Sequence, residues 1–120
     1  MIKGIGLDII DISRIERSIA KSERLAERVL TIKEFELYKA MEPKRKVEFL
    51  AGRFAAKEAF VKATGTGIGK AISFQDIEVL PSESGAPSIV AVGYEGERIF
   101  ISITHTDNYA AAQVIIEELV

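Results

Sequence analysis

Glu58 and Lys62 stand four residues apart in an alanine-rich run, and on a helix that spacing puts them on one face. Alone, such a pair is a surface ion pair worth roughly a few tenths of a kcal/mol. Lys44, Ala51 and Ala55 fall near the same line, while Phe49, Ala56 and Phe60 lie opposite and read as core. Small residues at 51, 55, 56, 59 and 63 would admit another backbone or a flat ligand, which gives the pair a second reading as part of a site. Asp8, at the close of a first predicted strand, is either a helix-entry aspartate or a ligand for a hard cation. Mg²⁺ takes only one or two protein carboxylates and leaves the rest of its shell to water and phosphate oxygens. His105 is the single histidine. It either bonds a neighbour at a strand end or contacts a phosphate or hydroxyl. One histidine cannot form a multi-histidine zinc centre, and the lack of cysteine excludes thiolate metal sites, disulfides and a cysteine nucleophile.

Arg14, Arg17, Lys21, Arg24 and Arg28 fall within an arc of roughly 80° if their stretch is helical. Glu16, Glu23 and Glu27 sit together to one side of this stripe, and Ile12, Ile15, Ile19, Ala26 and Leu30 lie opposite. The stripe is either a solvated face or a docking face for an anionic protein, such as an acidic helix. The net charge of −2 hides a division that suits the second reading. Residues 1–70 carry 15 of the 16 Lys and Arg, and residues 71–120 carry one Arg against eight acids. Nucleic acid is the weaker partner for the basic half, since there is no Trp and the Phe residues occupy core-like positions. Gly65-Thr66-Gly67-Ile68-Gly69 fails both common nucleotide patterns, because Gly69-Lys70 is followed by Ala71 and the loop leaves a helix instead of entering one. Its amides could still hold an anion locally, helped by Lys57 and Lys62.

These residues need elements to hold them. At 120 residues with 48% hydrophobic and 28% charged content, the chain reads as a single domain, 1–120, with a core of its own. No run is long enough to span a bilayer and the start does not read as a signal peptide, so no membrane and a cytoplasmic setting are expected. Ile2–Leu7 is predicted as a strand whose glycines leave room for a close neighbour. Asp11 is a candidate cap for the basic helix, with a break near Lys21-Ser22. Thr31 and Glu34 form a candidate capping box ahead of a segment running Phe35 to Met41. Pro43 suits the first turn of a long helix ending near Thr64, with Gly65 as its stop. Residues 72–80, 88–92 and 98–104 read as strands. The segment from Tyr109 has alanines that favour helix, but Ala111, Gln113 and Ile115 alternate, and Thr106-Asp107-Asn108 can turn a hairpin, so it is assigned as strand. The fold class is α+β, with antiparallel strands following helices.

Gly4-Ile5-Gly6-Leu7-Asp8-Ile9-Ile10 and the continuous block Phe49–Gly69, with Ser73–Glu78 and Ser102–Thr106, resemble the holo-acyl-carrier-protein synthases, small bacterial phosphopantetheinyl transferases. The resemblance runs the length of the chain and departs only in 81–97. It implies the phosphopantetheinyl transferase fold, with one long helix on a small antiparallel sheet. It also implies transfer of the phosphopantetheine arm of coenzyme A to a serine of apo acyl carrier protein, with release of adenosine 3′,5′-bisphosphate. Asp8 and Glu58 match the family's Mg²⁺ ligands. Glu58, directly or through water, would take the serine proton, and Lys62 would stabilise or protonate the leaving group. Lys44, Arg45, Arg53, Lys57, Lys62, Gly65, Thr66, His105 and Thr106 match positions that hold coenzyme A. Arg14, Arg24 and Arg28, with Leu25 beside them, would face the acidic carrier. The family forms trimers with active sites between subunits, so the Asp8 group of one protomer is expected to meet the His105 group of the next. Two rivals lie outside this reading. A Mg²⁺-dependent pyrophosphate hydrolase would not need the docking face, and a carrier-binding module without catalysis would not need Asp8, Glu58 and Lys62 together.

Overall fold

The computed structural model describes residues 1–65 and 72–119. The chain order is β1 (Ile2–Asp11), α1 (Ile12–Lys21), α2 (Arg24–Val29), α3 (Ile32–Lys39), α4 (Pro43–Thr64), a 3-10 turn (Phe74–Asp76), then β2 (Ile77–Pro81), β3 (Pro87–Ala91), β4 (Glu97–His105) and β5 (Tyr109–Glu118). β1, β5 and β4 form one antiparallel sheet in that order, and β2 pairs with β3 in a second. The α+β expectation holds, including β5 as a strand. Ala110, Ala112, Val114 and Ile116 point into the core, while the residues between them face outward.

Helix α4 is the axis of the molecule. Pro43 sits in its first turn, where its missing N–H costs nothing, and Gly65 stops it with φ of 82°, both as expected. It lacks a single apolar stripe because it is enclosed on nearly every side, and residues 49–57 are buried without interruption. The small residues on it admit strand β1. A Cβ on Gly6 would lie 1.8 Å from the Ala59 carbonyl oxygen, and one on Gly4 would lie 1.9 Å from that of Ala63. Backbone therefore meets backbone here, which only Gly opposite Ala permits.

Some boundaries differ from expectation and others agree with it. β1 runs on to Asp11 because β5 pairs with it as far as Asp11 opposite Tyr109, which leaves Asp8 inside the strand opposite Ala112. Asp11 occupies the cap position of α1 without a side-chain cap bond. The basic stripe is divided at Lys21, so Arg14 and Arg17 ride on α1, and Arg24 and Arg28 on α2. The Thr31–Glu34 capping box forms, with α3 opening at Ile32. Residues 74–76 make a turn, not the start of a strand, because Asp76 caps back onto Ser73 at 3.0 Å.

Candidate active site

Along β1, Gly4, Gly6, Asp8 and Ile10 face α4, while Ile5, Leu7 and Ile9 face outward. The glycines bring the strand down onto the helix, so Asp8 arrives one pleat further along beside the C-terminal half of α4. There Lys62 Nζ donates to Asp8 Oδ1 at 2.9 Å and to the Leu7 carbonyl at 3.1 Å. Glu58 lies one helical turn before Lys62 and is the one residue between Phe49 and Val61 that is not buried. Partial burial pushes its carboxyl above the ordinary carboxylate value, and the Asp8 charge pushes it further. Lys62, Arg14 and Arg28 pull it back. The sequence expectation that Asp8, Glu58 and Lys62 belong together is thus matched by one electrostatic cluster.

Arg14 and Arg28 reach this cluster over an aromatic platform. The Arg14 guanidinium carbon is 5.8 Å from the Phe54 ring centre and that of Arg28 is 5.7 Å from the Phe74 ring centre. The two rings are 5.6 Å apart. Each arginine thus rests on one ring of a packed pair, with its charge left exposed. Arg24 is exposed and Leu25 half-buried on α2 beside them. Sequence reasoning missed the roles of Phe54 and Phe74, whose spacing reads only as core.

The other expected ligand contacts form separate groups. Arg45, Arg53 and His105 line a cleft of about 450 Å³ with Phe49, Pro81 and Pro87. Glu48 sits among them, 3.8 Å from Arg45 and 3.6 Å from His105. Arg53 stacks on Phe49 at 4.1 Å and donates from Nε to the Val79 carbonyl at 3.3 Å. Burial pulls its pKa down to about 10, Glu34 opposing and Arg45 assisting, so it stays cationic at neutral pH. Lys44 and Thr106 line a different and larger cleft, about 930 Å³, between α1, the start of α4 and the β4–β5 hairpin. The Thr106 hydroxyl accepts from the Asn108 and Tyr109 amides at 3.2 and 3.1 Å, closing that hairpin. His105 and Thr106, adjacent in sequence, therefore serve different clefts. Gly65 is exposed at the end of α4, and Thr66 lies outside the described residues.

Lys57 is a correction. Its side chain is completely buried, and its three ammonium hydrogens go to Glu34 Oε1 at 2.6 Å, the Val29 carbonyl at 2.7 Å and the Phe74 carbonyl at 3.1 Å. It has neither the exposure nor the spare donor to reach coenzyme A. Glu34 in turn accepts from the Thr31 and Val79 amides at 2.8 and 2.6 Å. The pair is a structural hub joining α3, α4 and β2, and neither member would tolerate loss of the other.

Neither cleft takes in Asp8, Glu58 or Lys62. Arg53 and Glu58, five positions apart on α4, project about 140° apart around the helix. From Arg45 to Lys62 is about 25 Å along its axis. Among the described residues no hydrogen bond or ion pair joins the carboxylate–lysine group to the arginine–histidine group.

Asp8, Glu58 and Lys62, with Arg14 and Arg28 stacked beside them, form a charged cluster of the kind that handles anionic substrates. The chain matches the model of the 4′-phosphopantetheinyl transferase superfamily over residues 4–114 and belongs to that family. It is 56% identical over 118 residues to the holo-[acyl-carrier-protein] synthase of Listeria innocua, covering 98% of this chain and 100% of that protein. It is 54% identical over 119 residues to the enzyme of the same name from Bacillus pumilus, covering 99% and 98%. Among solved structures, the holo-(acyl-carrier-protein) synthase of Bacillus anthracis, in complex with CoA (3′,5′-ADP), superposes with a TM-score of 0.91 at 45% identity, covering 99% of each chain. The Helicobacter pylori synthase in complex with coenzyme A gives 0.82 at 36%, covering 94% of this chain and 99% of that one.

Proposed function

We propose that the chain transfers the 4′-phosphopantetheine of coenzyme A to a serine hydroxyl of apo acyl carrier protein, releasing adenosine 3′,5′-bisphosphate. The observation that carries this reading is that Glu58, beside the Asp8–Lys62 pair, also lies in the field of Arg14 and Arg28. Chemistry-bearing groups and a surface suited to an acidic partner adjoin, in a chain whose full-length relatives carry the corresponding name.

Asp8 and Glu58 would hold a Mg²⁺ ion. The fit rests on their mutual repulsion, which a cation would relieve, and on their hard oxygen donors. Among the described residues no group of three or more His, Cys, Asp or Glu is placed to bind a metal. That suits an ion whose remaining ligands are water and substrate phosphate. Bound there, it would neutralise charge on the coenzyme A pyrophosphate. The serine oxygen attacks the phosphorus bearing the pantetheine arm, and the P–O bond to the adenosine bisphosphate breaks. Glu58, directly or through a water, would take the serine proton. The Lys62 side chain is 55% exposed and can leave Asp8 to meet the leaving phosphate. Arg45, Arg53 and His105 suit the nucleotide and its 3′-phosphate, with Lys44 and Gly65 as outlying contacts. Hydrolysis of coenzyme A without a carrier would release the bisphosphate as well. Release that requires stoichiometric carrier separates transfer from the hydrolase alternative.

The arginines give a first expectation. Reversing Arg14, Arg24 and Arg28 to Glu raises the carrier KM by about tenfold or more and affects the coenzyme A KM far less. Surface charges act through association, so the gap between variant and unaltered chain narrows as salt rises. An unchanged carrier KM in steady-state assays returns these residues to a solvated face.

The separated groups give a second. The outer face of the three-stranded sheet exposes Ile5, Leu7, Ile9 and Phe100, at 58%, 61%, 65% and 49%. Ile5, Ile115 and Phe100 align across the strands. Such a face suits burial between copies, and a closed trimer would set Asp8, Glu58 and Lys62 of one protomer against the partner's Arg45, Arg53 and His105. Glu58→Gln and His105→Ala chains, each impaired alone, should regain activity when refolded together, with about a quarter of interfaces intact on random assembly. No gain over the separate variants, with His105→Ala alone impaired, means that each site is built within one chain.

A further inference from the structure

Helix α2 has only six residues, too few to hold its own shape, and at its start Glu23 makes no side-chain cap bond, leaving a single long one from the Arg24 amide to Ser22 Oγ at 3.3 Å. Its other end is bound by groups from distant parts of the chain. The Ala26 carbonyl is met by the Leu30 amide at 2.9 Å. The two Nε2 hydrogens of Gln75 are shared among the carbonyls of Leu30 at 2.7 Å, Glu27 at 3.1 Å and Arg28 at 3.2 Å. The Val29 carbonyl takes Lys57 Nζ at 2.7 Å. Two side chains thus satisfy every carbonyl from 27 to 30 that the helix leaves open. The same two residues reach the rest of the site. Lys57 also bonds the Phe74 carbonyl, and Phe74 carries the Arg28 guanidinium on its ring. Lys57 directly precedes Glu58 on α4.

We propose that Gln75, backed by Lys57, is a positioning residue for carrier docking, fixing the short helix that bears Arg24, Leu25 and Arg28 relative to Glu58. This rests on the docking role given to α2 above. An acyl carrier held on a helix free to pivot would present its serine to Glu58 in many orientations, and the cost would fall on carrier binding. Coenzyme A, held elsewhere, would be indifferent.

Gln75 is exposed, so its variants should fold, whereas loss of Lys57 would strand Glu34. The test is steady-state kinetics with coenzyme A, Mg²⁺ and apo acyl carrier protein, with amide exchange across residues 24–30. Arg24→Glu serves as the docking control. Gln75→Ala should raise the carrier KM about tenfold, as expected for losing one or two hydrogen bonds, and leave the coenzyme A KM within about twofold. Exchange across 24–30 should quicken. Gln75→Lys should bring the carrier KM back to within about twofold of the unaltered chain, because an ammonium donates to the same carbonyls and suits a helix C-terminus. Gln75→Glu, the same shape but presenting oxygen to oxygen, should be at least as impaired as the alanine variant. If Arg24→Glu raises the carrier KM while Gln75→Ala does not, docking stands and the positioning role is wrong. Unchanged exchange in Gln75→Ala, or equal carrier KM in the Lys and Glu variants, also overturns it. If Arg24→Glu has no effect on the carrier KM, the docking reading fails and takes this inference with it.

Discussion

Glu58→Gln is expected to lower transfer by about three orders of magnitude while leaving the chain folded, because one carboxylate is both a metal ligand and the acceptor of the serine proton. Its stability should move the other way. Glu58 is harder to ionise in the folded chain than in an unfolded one, through burial and then through Asp8. Below the ordinary carboxylate range both states keep the proton, and folding carries no penalty from this group. As pH rises through the raised folded value, the folded chain must give up a proton it holds more tightly, and stability is lost. Glutamine removes that loss. Metal-free Glu58→Gln should therefore melt no lower than the unaltered chain at neutral pH and slightly higher, with the difference vanishing in acid. The side chain is partly solvated, which keeps the gain small. Melting curves without added Mg²⁺ across this range check the sign. A variant that melts well below the unaltered chain at neutral pH would mean that Glu58 holds the fold together instead of straining it.

Gly6→Ala is expected to damage both stability and transfer. The new Cβ would stand 1.8 Å from the Ala59 carbonyl oxygen, a backbone atom that cannot rotate aside. β1 must lift from α4, at a cost of about 3 kcal/mol or more, which is a fall in Tm of roughly 12 °C or more for a domain of this size. Asp8 lies two residues along the same strand face and moves with it, so activity should fall even at temperatures where the variant is folded. Gly96→Ala is the matched control, since a Cβ there meets nothing within 4 Å. Equal Tm and equal activity for the two variants would contradict the close approach of strand and helix.

What could be read from sequence was what local chemistry dictates. Pro43 and Gly65 bound a helix by their own backbone geometry, Thr31 and Glu34 cap each other across three residues, and the alternation from Ala111 overrides the helical preference of its alanines. Glu58 and Lys62 share a face by helical spacing alone. The orientation of Lys57 could not be read that way. On a helix enclosed nearly all round, periodicity does not say which polar residue faces in, and its partner Glu34 is 23 positions earlier. Neighbourhood in sequence likewise misled for His105 and Thr106, since one residue opens a cleft with Arg45 and the other closes a hairpin. The break near Lys21-Ser22 was legible, and packing agrees with it: α1 and α2 each turn a separate short apolar face, Ile15 in one and Ala26 with Val29 in the other, toward the core.

Movement of the phosphopantetheine of coenzyme A onto a carrier protein has a direct readout. Intact-mass measurement of apo acyl carrier protein, incubated with the chain, coenzyme A and Mg²⁺, tests it directly. Each carrier should gain the mass of one phosphopantetheine, and the gain should be lost when the acceptor serine is replaced by alanine and when Glu58→Gln is used. Carrier that keeps its apo mass while coenzyme A is cleaved would contradict transfer in favour of hydrolysis. Carrier that binds the chain but leaves both substrates intact would contradict it in favour of a binding module.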